Sequence, residues 1–278
     1  MKKPLAVLVA VLLSTPTFAA PKLTVMLVID QFRADYLLRF QKRFMAAGGA
    51  DGKVGGFRFL MEKGAYYPDA QYDIMQSMTG PGHATVLSGS YPYQNGIVGN
   101  EWYDPKTGQI EYCVEDPTTP TVGATPKSTH IGTSPRNFNG STVGDEIKNA
   151  GHASKVISIA LKDRAAILMG GYRADLAVWM DFASYHWVSS KHYLPDGKLP
   201  AWIEDENKKV AERSGSTYTW KTLGPETSLT QPDPFTFGDE FKKAYGVKFP
   251  HEAKVGNRSS AGMPIGLEET LSMAERAI

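Results

Sequence analysis

Cysteine is almost absent from this chain: Cys113 stands alone among 278 residues. No internal disulfide can form, so a hydrophobic core must hold the fold. A long apolar run is lacking too. The stretch from Leu5 to Leu13 is too short to span a bilayer. Charge of one sign is also lacking, since 30 Lys and Arg face 29 Asp and Glu. That balance gives no strong pull towards nucleic acid or a membrane surface, and neither is expected as a partner. No internal repeat or low-complexity tract is visible. The length suits one domain, or one domain with a large insertion.

Several features are present and informative. Lys2 and Lys3 precede the short apolar run, and Ser14-Thr15-Pro16-Thr17-Phe18-Ala19-Ala20 follows it. That order predicts a signal peptide over residues 1–20, and hence a periplasmic or secreted protein with no membrane contact beyond the cleaved leader. Without Lys2 and Lys3 the 30 basic residues become 28 against 29 acidic ones, a net charge of −1.

The stretch Gln76-Ser77-Met78-Thr79-Gly80-Pro81-Gly82-His83-Ala84-Thr85 reads as a turn entering a short helix that stops at Ser88-Gly89. Thr79 is expected at or just before the N-cap, where a hydroxyl accepts from free N–H groups. Those N–H groups and the positive helix end also attract an oxyanion. An ordinary N-cap is the plainer reading of Thr79 taken alone.

Leu23 to Ile29 is a continuous apolar run, expected to be a strand buried on both faces. Asp30 ends it, at the strand end where ligands and catalytic groups gather in α/β sheets. It is a candidate metal ligand there, or else a helix N-cap. Helical spacing follows over Ala34 to Met45, then a second short helix from Phe57 to Gly64 and a strand over Ala65 to Asp69. This alternation predicts a layered α/β fold.

From Ser90 to Asn139 aromatics mix with Pro, Gly, Asn and Asp, with turns at Gln94-Asn95-Gly96 and Thr107-Gly108-Gln109. Asn100 lies here, as a turn residue or as an amide donor to an oxyanion. Ser141-Thr142 caps a helix that closes at Gly151, and Lys155 to Ala160 reads as a buried strand. Lys162 and Arg164 sit where that strand gives way to a helix. Arg binds two phosphate oxygens at once and Lys adds a point charge. An exposed turn with Asp163 as internal partner is the alternative. Leu176 to Met180, between Asp175 and Asp181, reads as a further strand. His186 and His192 have no third ligand in pattern and read as surface or substrate-rim residues. Helices are expected over Trp202 to Arg213 and Phe237 to Tyr245, within a peripheral insertion or cap at about 184–262. The amphipathic stretch from Gly266 to Ile278 has no Gly, Asn or Pro to end it, so the chain reads as truncated.

Four stretches together resemble the phosphate-irrepressible branch of periplasmic alkaline phosphatases, in the wider alkaline phosphatase superfamily. They are Val28-Ile29-Asp30-Gln31-Phe32-Arg33, Met78 to Thr85, Gly96-Ile97-Val98-Gly99-Asn100, and Ser158-Ile159-Ala160-Leu161-Lys162-Asp163-Arg164. The resemblance covers nearly all of residues 21–278, read as the N-terminal portion of such a domain. It implies an alkaline-phosphatase-like α/β fold with a mostly parallel central sheet flanked by helices, its C-terminal part missing. It implies a metal-dependent phosphomonoester hydrolase with Thr79 as nucleophile and metal contact, and Asp30 as ligand of the same metal. Asn100, Lys162 and Arg164 are implied to hold the phosphoryl oxygens. Two zinc ions, a phospho-threonine at Thr79, and phosphate monoesters and inorganic phosphate as ligands follow from the same resemblance. The Lys162-x-Arg164 pair marks the monoesterase branch. The Cys/Ser-x-Pro-x-Arg signature of sulfatases is absent.

The family completes its bimetal site with an Asp-x-x-x-His, an Asp-His pair and a late His, and none occurs here. His130, His152 and His251 fall in no matching motif. Asp30 and Thr79 alone cannot supply the three or four ligands zinc takes. Two other readings stay open: an anion- or phosphate-binding remnant without catalysis, and a phosphodiesterase.

Overall fold

The computed structural model describes residues 21–42, 55–128, 132–222 and 249–278. The expected leader at 1–20, Phe44 and Met45, His130 and the helix expected over Phe237 to Tyr245 lie outside these residues. The chain forms two compact units, Met1–Gln71 and Tyr72–Ile278.

The first unit holds two short helices, α1 (Asp35–Arg39) and α2 (Gly56–Lys63). Asp35 at the start of α1 and Arg39 at its end suit the helix dipole. Phe32 stacks on Phe57 at 5.1 Å and meets the edge of Tyr36 at 5.6 Å. The strand expected over Leu23 to Ile29 is not formed. Leu23, Val25, Met26, Leu27 and Ile29 remain exposed. A strand of this kind needs flanking strands to take its N–H and C=O groups. No ladder among the described residues pairs with it. The strand expected over Ala65 to Asp69 is absent for the same reason.

The second unit begins with α3 (Thr79–Ser88) and α4 (Pro92–Asn95). A hairpin follows, β1 (Glu101–Asp104) with β2 (Gln109–Tyr112), turning at the expected Gly108. Then come β3 (Thr121–Val122), α5 (Val143–Asn149), β4 (Ile157–Ala160), α6 (Asp163–Gly170), β5 (Leu176–Asp181) and β6 (His186–Ser190). The chain goes on through α7 (Ala201–Arg213), β7 (Thr217–Trp220), β8 (His251–Lys254), α8 (Arg258–Ala261) and α9 (Pro264–Ala277).

The main sheet has the order β3-β6-β5-β4. β4 and β5 are parallel, joined by the α6 crossover that parallel strands require. β5 with β6 and β6 with β3 are antiparallel. The α/β class holds, but the described sheet is mixed rather than mostly parallel. The cause is a tight reversal after β5. Tyr185 adopts φ 57°, and the Asp181 carboxylate accepts from the Ala183 N–H at 3.1 Å and the Ser184 hydroxyl at 2.7 Å. The Ser128 hydroxyl donates to the same carboxylate. β6 therefore lies in the main sheet, although it falls within the 184–262 stretch read as an insertion or cap.

Every residue of β5 is buried. Ala177 and Trp179 join Ala84, Ile97, Phe138, Ile167 and Leu168 in one core. Leu176, Val178 and Met180 join Ile203, Val210, Met263 and Met273 in the other. The period-two alternation of the strand thus fills two cores, giving helix–sheet–helix layers.

The predicted cap at Thr142 is present. Its hydroxyl accepts from the Asp145 N–H at 3.1 Å, and Asp145 Oδ2 accepts from the Thr142 N–H at 2.9 Å. Gly171, at φ +71°, closes α6 against this cap. A Cβ there would collide with Asp145 Oδ2 and come within 2.6 Å of Thr142 Oγ1. Gly171→Ala is expected to destabilise the fold by about 2–4 kcal/mol, adding backbone strain to a lost cap. Urea denaturation of the two forms measures it.

Candidate active site

Four of the sequence-marked residues come together in the second unit, where α3 packs beside α6. Thr79 is the first helical residue of α3, and the N-cap is Met78. This corrects the expectation that Thr79 is itself at or before the cap. No side chain caps α3. The Thr79 hydroxyl instead accepts from Lys162 Nζ at 3.2 Å. Thr79 is only 7% exposed. Its carbonyl lies 2.8 Å from Nδ1 of His83, one turn along α3.

Gly80 explains why glycine follows Thr79. A Cβ there would lie 3.1 Å from the Gly99 carbonyl and 3.2 Å from both Asn100 Oδ1 and Cys113 Sγ. The Gly80 N–H donates to Asn100 Oδ1 at 2.8 Å. The Asn100 carbonyl accepts from the Cys113 N–H at 2.9 Å. With its oxygen committed to Gly80, the Asn100 side chain presents its NH2 as the outward donor. An oxyanion needs that orientation.

Lys162 is the N-cap residue of α6, and Arg164 lies in its first turn. The short β4 delivers both to this end of the sheet. Arg164 Nη1 donates to the Tyr112 hydroxyl at 2.9 Å, and that hydroxyl donates to Asp163 Oδ1 at 2.6 Å. Asp163 Oδ1 also accepts the Arg164 N–H at 2.7 Å. Asp163 is thus the internal partner the sequence offered, though as part of a buried network rather than an exposed turn. Burial opposes the charge on Arg164, but Tyr112 and Asp163 outweigh it and hold its pKa above the ordinary value. Burial, then the Asp163 carboxylate, pushes the Tyr112 phenol well above its ordinary range. Burial likewise pushes the Cys113 thiol up to about 12, so it stays protonated.

Tyr112 was not legible as a site residue. It is one aromatic among many between Ser90 and Asn139, and the hairpin that carries it to Arg164 is a tertiary fact. Asp30 belongs to the first unit, where it begins a turn with Gln31 at φ 61°. His186 Nδ1 lies 2.9 Å from the Ser184 carbonyl, and His192 Nε2 lies 3.0 Å from the Tyr172 carbonyl. Among the described residues no three His, Cys, Asp or Glu side chains are placed to hold a metal. The described residues therefore do not fit a zinc site. What they offer is a hydroxyl at a helix start beside an ammonium, a guanidinium and an amide, which suits binding a tetrahedral oxyanion. No helix among the described residues is long and apolar enough to cross a membrane.

Comparison with known proteins shows the family. Residues 24–264 match the family model for type I phosphodiesterase / nucleotide pyrophosphatase. Alkaline phosphatase PhoV of Synechococcus elongatus is 38% identical over 269 residues, covering 94% of this chain and 47% of PhoV. Alkaline phosphatase PafA of Elizabethkingia meningoseptica is 35% identical over 271 residues, covering 93% of this chain and 47% of PafA. The crystal structure of wild-type PafA superposes with TM-score 0.71 at 29% identity, over 90% of this chain and 48% of that one. A second PafA crystal structure, of a form substituted at one threonine, one asparagine, one lysine and one arginine, also superposes at 0.71. The chain spans about half the length of the curated relatives it matches. With 241 of its 278 residues inside the family model, the chain belongs to the type I phosphodiesterase / nucleotide pyrophosphatase family, within the alkaline phosphatase superfamily.

Proposed function

We propose that this chain carries the phosphoryl-binding side of a phosphomonoesterase site, with Thr79 as the group that accepts the phosphoryl. The observation that carries the reading is the 3.2 Å contact from Lys162 Nζ to Thr79 Oγ1. An ammonium beside a hydroxyl stabilises negative charge on that oxygen as it attacks phosphorus. Asn100, by its NH2, and Arg164 would hold the equatorial oxygens, and the start of α3 adds its dipole. Attack would form the bond from Thr79 Oγ1 to phosphorus, break the bond from phosphorus to the ester oxygen, and leave the Thr79 hydroxyl proton on the departing alcohol. The four residue types substituted together in the second PafA structure are the four gathered here, which supports the same reading. The described residues hold too few ligands for zinc, so no step of this reading runs through a metal. An exported, periplasmic location follows from the leader motif at 1–20.

A phosphodiesterase is the second reading, favoured by the description of the matching family model. Two cations at the phosphoryl group favour a dianionic monoester over a monoanionic diester. The test complements the chain with the remaining portion of a PafA-like protein and compares 4-nitrophenyl phosphate with bis(4-nitrophenyl) phosphate. Monoester preference of about a hundredfold or more, lost with all turnover in Thr79→Ala, is expected. Faster diester cleavage supports the second reading.

A further inference from the structure

We infer that Tyr112 is a positioning residue that selects which edge of the Arg164 guanidinium faces the ligand. The inference rests on the phosphoryl-binding reading of the site. A guanidinium has two useful edges, and only one can be turned to two oxygens of one phosphoryl group at a time. The Tyr112 hydroxyl takes Arg164 Nη1 at 2.9 Å. The edge made by Nε and Nη2 is left. Arg164 Nε is buried and has no hydrogen-bond partner among the described residues. A buried donor of this kind is expensive to leave unpaired, and a bound oxyanion resolves it.

The Tyr112 hydroxyl cannot rotate freely, because it also donates to Asp163 Oδ1 at 2.6 Å. That bond polarises the phenol oxygen and makes it a better acceptor for Arg164. Asp163 in turn is buried, with Oδ2 lacking a hydrogen-bond partner among the described residues. The Tyr112 ring adds a second hold, with the guanidinium carbon 5.9 Å from its centroid. The chain Asp163–Tyr112–Arg164 joins the end of the β1–β2 hairpin to the first turn of α6. It thereby sets the guanidinium relative to Asn100, whose backbone is bonded to Cys113, the residue after Tyr112.

The test is Tyr112→Phe, which keeps the ring and removes the hydroxyl, beside Arg164→Ala and the double variant. Two readouts are taken on the whole chain. Nitrogen-15 NMR follows exchange of the Arg164 Nε–H, and calorimetry follows binding of inorganic phosphate. Tyr112→Phe is expected to speed Nε–H exchange and weaken phosphate binding about tenfold, and to cost nothing further when added to Arg164→Ala. A merely structural role would lower stability without that non-additivity. Nε–H exchange unchanged in Tyr112→Phe overturns the inference whatever phosphate does. If the unsubstituted chain binds no phosphate, the phosphoryl-binding reading fails. The exchange readout still decides whether Tyr112 holds Arg164.

Discussion

The purified chain is expected to hydrolyse 4-nitrophenyl phosphate at least about a thousandfold more slowly than PafA assayed beside it. The reason lies in the donor set. Thr79 has an ordinary hydroxyl, and such a group attacks phosphorus slowly until a base or a metal lowers its pKa. Lys162 Nζ at 3.2 Å supplies charge but, as an ammonium, no base. His83 directs its Nδ1 to the backbone carbonyl of Thr79. Among the described residues there is no set of three metal ligands to do the work instead. Turnover within tenfold of PafA, still dependent on Thr79, would contradict this, and would mean that a second copy of the chain or other residues of this one supply the missing base or ligands.

Binding is expected to behave differently from turnover. Lys162→Ala should weaken inorganic phosphate binding by about ten- to a hundredfold, the range for removing one charge-assisted contact in a partly buried site. Thr79→Ala should change it far less, because the hydroxyl is a neutral partner. The loss in Lys162→Ala should shrink at high salt, since screening already weakens the attraction in the unsubstituted chain. Calorimetric titration at two salt concentrations measures all three effects. Equal losses in Thr79→Ala and Lys162→Ala would show that the cradle depends on their mutual contact rather than on charge.

The sequence was legible where local chemistry decides structure. Ser141-Thr142 announces a cap and Gly108 a turn, and both stand. The apolar blocks at β4 and β5 and the helical spacing of α7 and α9 were also readable, with boundaries shifted by a residue or two. The residues of the proposed site are legible by type. Thr79, Asn100, Lys162 and Arg164 were marked by their setting at helix starts and turns, and the second unit gathers them.

What failed depended on partners distant in sequence. Leu23 to Ile29 has the composition of a buried strand, but composition supplies no neighbour, and the run stays exposed. β6 was hidden because Trp187 and Val188 lie among His, Tyr and Ser residues that read as a rim. Only the Asp181 reversal turns them into the sheet. Thr79 reads as a cap because Thr is a favoured cap residue. In the structure its hydroxyl is held by Lys162, 83 residues away, and the capping position falls to Met78. The pairing of Tyr112 with Asp163 is not legible in the sequence because no spacing rule links residues 51 apart.

The central claim is that Asn100, Lys162, Arg164 and the start of α3 form a cradle for a tetrahedral oxyanion in this chain itself. The most direct measurement is titration of inorganic phosphate into the purified chain in the presence of a metal chelator, with Lys162→Ala as the comparison. Saturable binding at one site, weakened at least about tenfold in Lys162→Ala, is the predicted result. No binding, or binding that ignores Lys162, would contradict it.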